Sequence, residues 1–315
     1  FWINVPLGIA AAWLTHSALK RLPRNDRWHE LDILGAALMM AGAVALLLAL
    51  TWGGTRYPWV SPQIVGLLGL SIAFALGFRW RIARAAEPYL PLPILRNPVV
   101  RTGALSSACA GGASIGLTVF APFYYQLVHD MSVTTSGLFL IPIAVMTTPG
   151  SILAGRAMMH FLHYKRVSLV CMCFAIAATA YLAWRPAASP YVVMVALGVI
   201  GLGVGSVFPL ATVCIQNAVA PYQMGTATGV MNFFRALCAS LVVAIMGAIV
   251  LAGFGVAPDR GRGAQALIAG AASGDAANVF RWVFVAAAAF LAVGLLALIR
   301  LPERPLRGGS GRPAG

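Results

Sequence analysis

The sequence predicts an all-α integral membrane protein, and three observations carry that reading. Sixty per cent of its 315 residues are hydrophobic and 10% are charged, where an ordinary soluble domain carries about 25% charged residues; mean hydropathy is +0.85. The apolar residues gather into nine runs, each near the ~20 residues that a helix needs to cross a ~30 Å hydrocarbon core. The basic residues fall between those runs, as topology signals do. Strand-like alternation is absent, which argues against a β-barrel.

The first run, 1–19, is already apolar at Phe1. It lacks the charged lead-in of a secretory signal, and it is short of a full span at its N-terminal end. Runs 33–53 and 62–79 follow. The stretch 79–101, RWRIARAAEPYLPLPILRNPVVR, is charged and holds Pro88, Pro91, Pro93 and Pro98, so it resists a continuous helix and divides the chain. Six further runs, 103–127, 134–155, 167–184, 190–214, 225–253 and 280–300, suffice for one bundle. Residues 255–279 read as a mobile Gly/Ala-rich outer loop, and 306–315 as a polar disordered tail.

Charge sets the orientation. The loops after the first, third and fifth runs, together with the tail, carry sixteen Lys and Arg, against five in the intervening loops. The positive-inside rule places the sixteen in the cytoplasm. The C-terminus is then inside and Phe1 outside, as expected for a chain continuing from further N-terminal helices in a plasma membrane of bacterial type. This placement also excludes a nucleic-acid reading of the net charge of +14: the basic residues form no face or arm.

Few residues carry chemistry. Arg235 lies within a run, about ten residues or ~15 Å from its inner end. An Arg there costs about 2.5–3.5 kcal/mol on insertion scales, so it faces the bundle interior or a cavity. It is a candidate for a conformational or substrate-site role, against a structural Arg bonding backbone carbonyls. Asn232, one turn away, can share its face. Tyr124 and Gln126, near the outer end of the fourth run, are two apart and do not share a face, so one of them is the better cavity candidate. Met231, Phe233 and Phe234 are candidates for an apolar pocket wall. Gly112 with Gly116, and Gly201 with Gly205, sit at the four-residue spacing that lets membrane helices approach closely. Pro142, Pro149 and Pro209 interrupt helical hydrogen bonding within runs.

None of the eight acidic residues lies well inside a run, so a proton-coupling carboxylate, if there is one, is expected elsewhere in the protein. The five Cys all lie in apolar runs and form no zinc pattern. Neither paired carboxylates nor HExxH occurs at membrane depth, so an enzyme is not indicated, and no cofactor or metal is expected.

Several stretches together resemble one family. FWINVPLG, through Asn4, Pro6 and Gly8, resembles the sixth-span motif of the fourteen-span drug:proton antiporters of the major facilitator superfamily. EPYLPLPILRNP resembles the entry to their second six-helix half. PFYYQLVHDMSVTTSGLFLIPIAV is similar through Tyr124, Gln126, Gly137 and Pro142, and GTATGVMNFFRALCASL through Gly225, Gly229, Asn232 and Arg235. The resemblance implies a major facilitator fold: 1–19 as the last helix of a first bundle, 20–101 as two linker helices and a cytoplasmic connector, and 102–305 as the complete second bundle. It also implies proton-coupled efflux of amphiphilic small molecules by alternating access, with the missing N-terminal helices as partner and the chain alone inactive; the alternative is a non-transporting remnant. A cytoplasmic loop motif is kept at Gly155, Arg156, Lys165 and Arg166 but lacks an acidic residue, and Cys238 stands where the family usually has Gly.

Overall fold

A computed structural model describes residues 2, 4–19, 32–54, 56–84, 94, 96–160, 163–254 and 276–303. The proline-rich stretch at 85–93, the Gly/Ala-rich stretch at 255–275 and the residues from 304 onward lie outside the described residues. Apart from one isolated bridge between Gly53 and Tyr57, the regular structure there is helical. The helices are α1 (Asn4–Leu19), α2 (Ile33–Trp52), α3 (Pro62–Arg84), α4 (Pro98–His129), α5 (Val133–Leu138), α6 (Ile141–His160), α7 (Lys165–Trp184), α8 (Pro190–Ala218), α9 (Met224–Gly253) and α10 (Ala276–Ile299).

Among the described residues, eight helical stretches are long and apolar enough to cross a membrane, α5 and α6 counting as one from Val133 to His160. The first of the nine spans expected from sequence corresponds to α1, of which 16 residues are described. Its side chains from Asn4 to His16 are all exposed.

The fifth run is not one continuous helix. It breaks at Phe139 and Leu140, where short-range bonds (Leu140 N–H to Gly137 O, 3.2 Å; Ile143 N–H to Leu140 O, 3.2 Å) replace the α-helical pattern. Pro142 causes this, because it has no N–H for the Leu138 carbonyl and its ring crowds that carbonyl. Pro149 and Pro209 lie inside α6 and α8, and Pro122 lies inside α4.

Helices α4 and α8 pack together as the centre of a six-helix bundle. Around them α6, α7, α10 and α9 follow in order, each packed on the next, while α6 and α9 share no packed interface. That leaves one side of the α4/α8 pair unflanked. Glycine sets the closeness of this packing. A Cβ at Gly201 or Gly205 would fall on the carbonyl oxygen of Ile143 or Thr147 of α6, and one at Gly112 would lie 2.9 Å from Val242 of α9. A Cβ at Gly116 would lie 2.6 Å from the Met246 sulfur. Backbones this close gain dispersion contacts where lipid offers no hydrophobic drive. Ser151 adds a hydrogen bond to the Gly205 carbonyl at 2.9 Å, and Ser168 one to that of Ser206 at 3.1 Å.

Helices α2 and α3 form a hairpin beside the bundle, with α2 resting on α9. Ser71 bonds the Gly42 carbonyl at 3.0 Å across the pair. At its other end Asp32 caps α2 through the Gly35 N–H (3.0 Å) and holds Arg81 Nε of α3 at 3.1 Å.

Candidate functional site

Three helices meet at Arg235. The side chain leaves α9 and crosses a notch in α4 at Gly111, where an added Cβ would lie 3.1 Å from both Cγ and Cδ of Arg235. The guanidinium then sits 5.2 Å from the centre of the Phe208 ring of α8. A cation over an aromatic face is held electrostatically by about 0.5–2 kcal/mol, more as it is desolvated. The aliphatic stem is gripped and the charged end is stacked, so the group is oriented before anything binds. Arg235 is half-buried. It makes no hydrogen bond or ion pair among the described residues. The described carboxylates, Asp32, Asp130 and Glu303, all stand at or beyond helix ends. Asn232, one turn earlier, is exposed.

Two apolar clefts flank this stretch of α9. One, of about 570 Å³, lies between α2, α3 and α9, with Phe78, Phe233 and Phe234 in its walls. The other, of about 650 Å³, lies between α2, α4 and α9; Ala108, Arg101, Phe234 and Cys238 line it. Both volumes suit a drug-sized molecule. The sequence placed Phe233 and Phe234 on a pocket wall without its partner; the facing wall is the α2/α3 hairpin. Met231 is buried and touches the Thr212 hydroxyl through its sulfur at 3.9 Å.

Tyr124, a sequence candidate for the cavity, lines neither of these two clefts. It is 1% exposed. Its ring is enclosed edge-on by Phe280 and Phe284 at centroid distances of 5.5 and 5.4 Å, and its hydroxyl donates to the Pro186 carbonyl at 2.8 Å. His129 Nε2 approaches the same hydroxyl at 3.2 Å. An aromatic buried with its polar tip satisfied is a packing element. It ties the far end of α4 to α10 and to the turn after α7. Gln126 is half-buried.

The loop motif separates into parts with different surroundings. Arg156 and Arg166 are exposed, and Gly155 faces open space. Lys165 instead closes the end of α10. Its ammonium donates to the carbonyls of Ile299 and Leu301 at 2.9 Å each, and its backbone N–H donates to Glu303 Oε1 at 3.3 Å. Positive charge at a helix C-terminus satisfies carbonyls left without helical partners. Lys165→Met is therefore expected to cost about 1–2 kcal/mol, the scale of charged hydrogen bonds at a partly exposed site, and Lys165→Arg less. Thermal unfolding in detergent measures both. Equal melting of Lys165→Met and wild type would remove the capping role.

Sequence reasoning missed Gly111 and Phe208, which create the Arg235 seat, and the Asp32–Arg81 pair. A Gly and a Phe in an apolar run carry no signal of a charged neighbour on another helix. Among the described residues, no three His, Cys, Asp or Glu side chains gather as a metal site would require.

Residues 31–243 match the family model described as Major Facilitator Superfamily. An uncharacterized MFS-type transporter of Mycobacterium tuberculosis is 34% identical over 260 residues, covering 79% of this chain and 36% of the relative. The multidrug transporter protein MdtP of Bacillus subtilis is 28% identical over 253 residues, 79% of this chain and 46% of that protein. The multidrug resistance protein 3 of the same organism is 28% identical over 251 residues, with 79% and 48% covered. The chain thus spans between about a third and a half of the length of these relatives. With its helical bundle of apolar, membrane-length helices, the chain belongs to the major facilitator superfamily.

Proposed function

We propose that this chain supplies the second six-helix bundle, α4–α10, two linker helices, α2 and α3, and the last helix of a first bundle, α1, to a secondary transporter that exports amphiphilic small molecules in exchange for protons. The observation that carries the reading is the unflanked side of the α4/α8 pair, where α9 lays an oriented arginine across Gly111 of α4 onto Phe208 of α8. A wall of this kind serves a path shared between two rocking halves. Relatives named for multidrug transport support efflux of apolar cargo.

In this reading the C-terminus is cytoplasmic and the membrane is the bacterial plasma membrane. The coupling carboxylate and the opposing wall belong to the other half of the transporter. Arg235, with Asn232, Phe233 and Phe234, serves substrate contact or the conformational change. The remaining packing residues keep the bundle rigid while it moves as a body.

The test is transport by the full-length protein in proteoliposomes. Uptake of an amphiphilic dye against its own gradient is expected only with an imposed proton gradient of the right sign, and residues 1–315 alone are expected to transport nothing. Gradient-independent flux by the full-length protein, or transport by residues 1–315 alone, would refute the proposal.

A further inference from the structure

The cleft between α2, α4 and α9 is an apolar groove with a cation at one end. Helices α4 and α9 run parallel: a Cβ at Gly112 would meet Val242, and one at Gly116, a turn further on, would meet Met246, also a turn further on. Along α9 the lining runs from Val230 to Leu241. At 1.5 Å per residue that is about 16 Å, the depth of one leaflet, half of a ~30 Å hydrocarbon core. Leu105, Phe234 and Leu241 line it and stay exposed, as side chains awaiting an apolar partner do. Among the described lining residues the charged one is Arg101, in the first turn of α4; no carboxylate is among them. Arg101 precedes Gly112 by as many residues as Met231 precedes Val242, so it stands at the Val230 end. The basic loops put the cytoplasm at that end. Arg96, just before α4, is exposed there with Arg101 and has the same sign, while Asp32, at the start of α2, is already held by Arg81.

We infer that this cleft binds an anionic phospholipid of the cytoplasmic leaflet, with its phosphate on Arg101 and one acyl chain along Leu105, Phe234 and Leu241. A guanidinium offers a phosphate a planar fork of donors, and a basic site between membrane helices at the cytoplasmic side suits an acidic headgroup. A zwitterionic lipid brings its own cation to two arginines of like charge and is disfavoured. The site is separate from the Arg235 seat, which faces Gly111 and Phe208. The chain lies between α2 and α4, so the lipid joins the α2/α3 hairpin to the bundle. The leaflet follows from the orientation of the proposed transporter; the charge of the lipid and its place in the fold do not.

Crosslinking tests this without any transport measurement. The full-length protein in nanodiscs is irradiated with a phosphatidylglycerol or a phosphatidylcholine carrying the same diazirine-bearing acyl chain, and the crosslinked residues are mapped by peptide mass spectrometry. At the cleft residues of α4 and α9, phosphatidylglycerol is expected to crosslink at least about fivefold more than phosphatidylcholine at equal mole fraction, the preference one arginine near a headgroup provides. Excess unlabelled phosphatidylglycerol is expected to remove the crosslink and glycerol phosphate to leave it, which separates a lipid from a free phosphate. Arg101→Gln, at an exposed position that leaves the packing intact, is expected to bring the ratio close to one, and Arg101→Lys to keep part of it. Leu105→Trp, which narrows the groove from an exposed position, is expected to lower both yields. Equal yields in wild type, a ratio unchanged in Arg101→Gln, or displacement by glycerol phosphate would overturn the inference. So would the absence of crosslinks in the cleft, the result expected if the rest of the transporter covers it.

Discussion

Gly205→Leu is expected to separate α6 from α8 and to lower the melting temperature by several degrees or more. The Cβ would land on the Thr147 carbonyl oxygen and 2.7 Å from Thr147 Cα. Neither is the end of a flexible side chain, so only movement of the whole helix relieves the overlap. Overpacking a well-filled interior costs about 1–3 kcal/mol when side chains can shift; here backbone meets backbone, so the cost exceeds that range. Separation would also break the Ser151 hydrogen bond to Gly205, which binds the same two helices. Gly66→Ala is the control, because nothing lies within 4 Å of its added Cβ and alanine raises helix propensity by about 1 kcal/mol. Melting of the purified protein in detergent separates the two. A Gly205→Leu protein as stable as wild type would mean that α6 and α8 do not touch through their backbones.

The second large effect concerns function. Arg235→Ala in the full-length transporter is expected to reduce export at least about tenfold, the loss of one charged contact, with the amount of protein in the membrane unchanged. Stability is expected to change little. Arg235 makes no hydrogen bond or ion pair among the described residues, and its stacking on Phe208 contributes modestly. Gly111→Val tests the seat without touching the charge: the branched side chain would displace Cγ and Cδ of Arg235, which lie 3.1 Å from a Cβ there. It is expected to lower export in the same direction. Full export by Arg235→Ala would leave Arg235 as a structural cation.

Much of the fold was legible because a membrane limits the possibilities. Runs of about twenty apolar residues have few alternatives to spanning helices, and α2 to α4 and α7 to α10 fall on such runs. The breaks were legible only in part. Pro142 was seen as an interruption, but whether a proline kinks a helix or ends one depends on what receives the freed carbonyl. Here the chain turns at Phe139 and Leu140. At Pro209 the helix continues.

The site was legible as a residue and not as a place. Arg235 stood out because charge is costly in a span. Its seat is made by Gly111 and Phe208, on helices far away in sequence, and residue type alone does not mark them. Tyr124 and Lys165 show the converse. Each belongs to a stretch with a family likeness. In the structure Tyr124 is enclosed by Phe280 and Phe284, and Lys165 closes the end of α10. Asp32 is one of the acidic residues that lie outside the body of any run, yet its side chain is 2% exposed and holds Arg81.

In the proposed transporter the unflanked face of α4, α8 and α9 is expected to open to each side of the membrane in turn. Asn232 is exposed on that face, one turn from Arg235, so Asn232→Cys in a full-length protein freed of its native cysteines reports it directly. Labelling with a membrane-impermeant thiol reagent is followed from each side, with and without an imposed proton gradient. Alternating access gives labelling from both sides, with the ratio between them shifting when the gradient is applied. Labelling from neither side, or from a single side whatever the gradient, would contradict it.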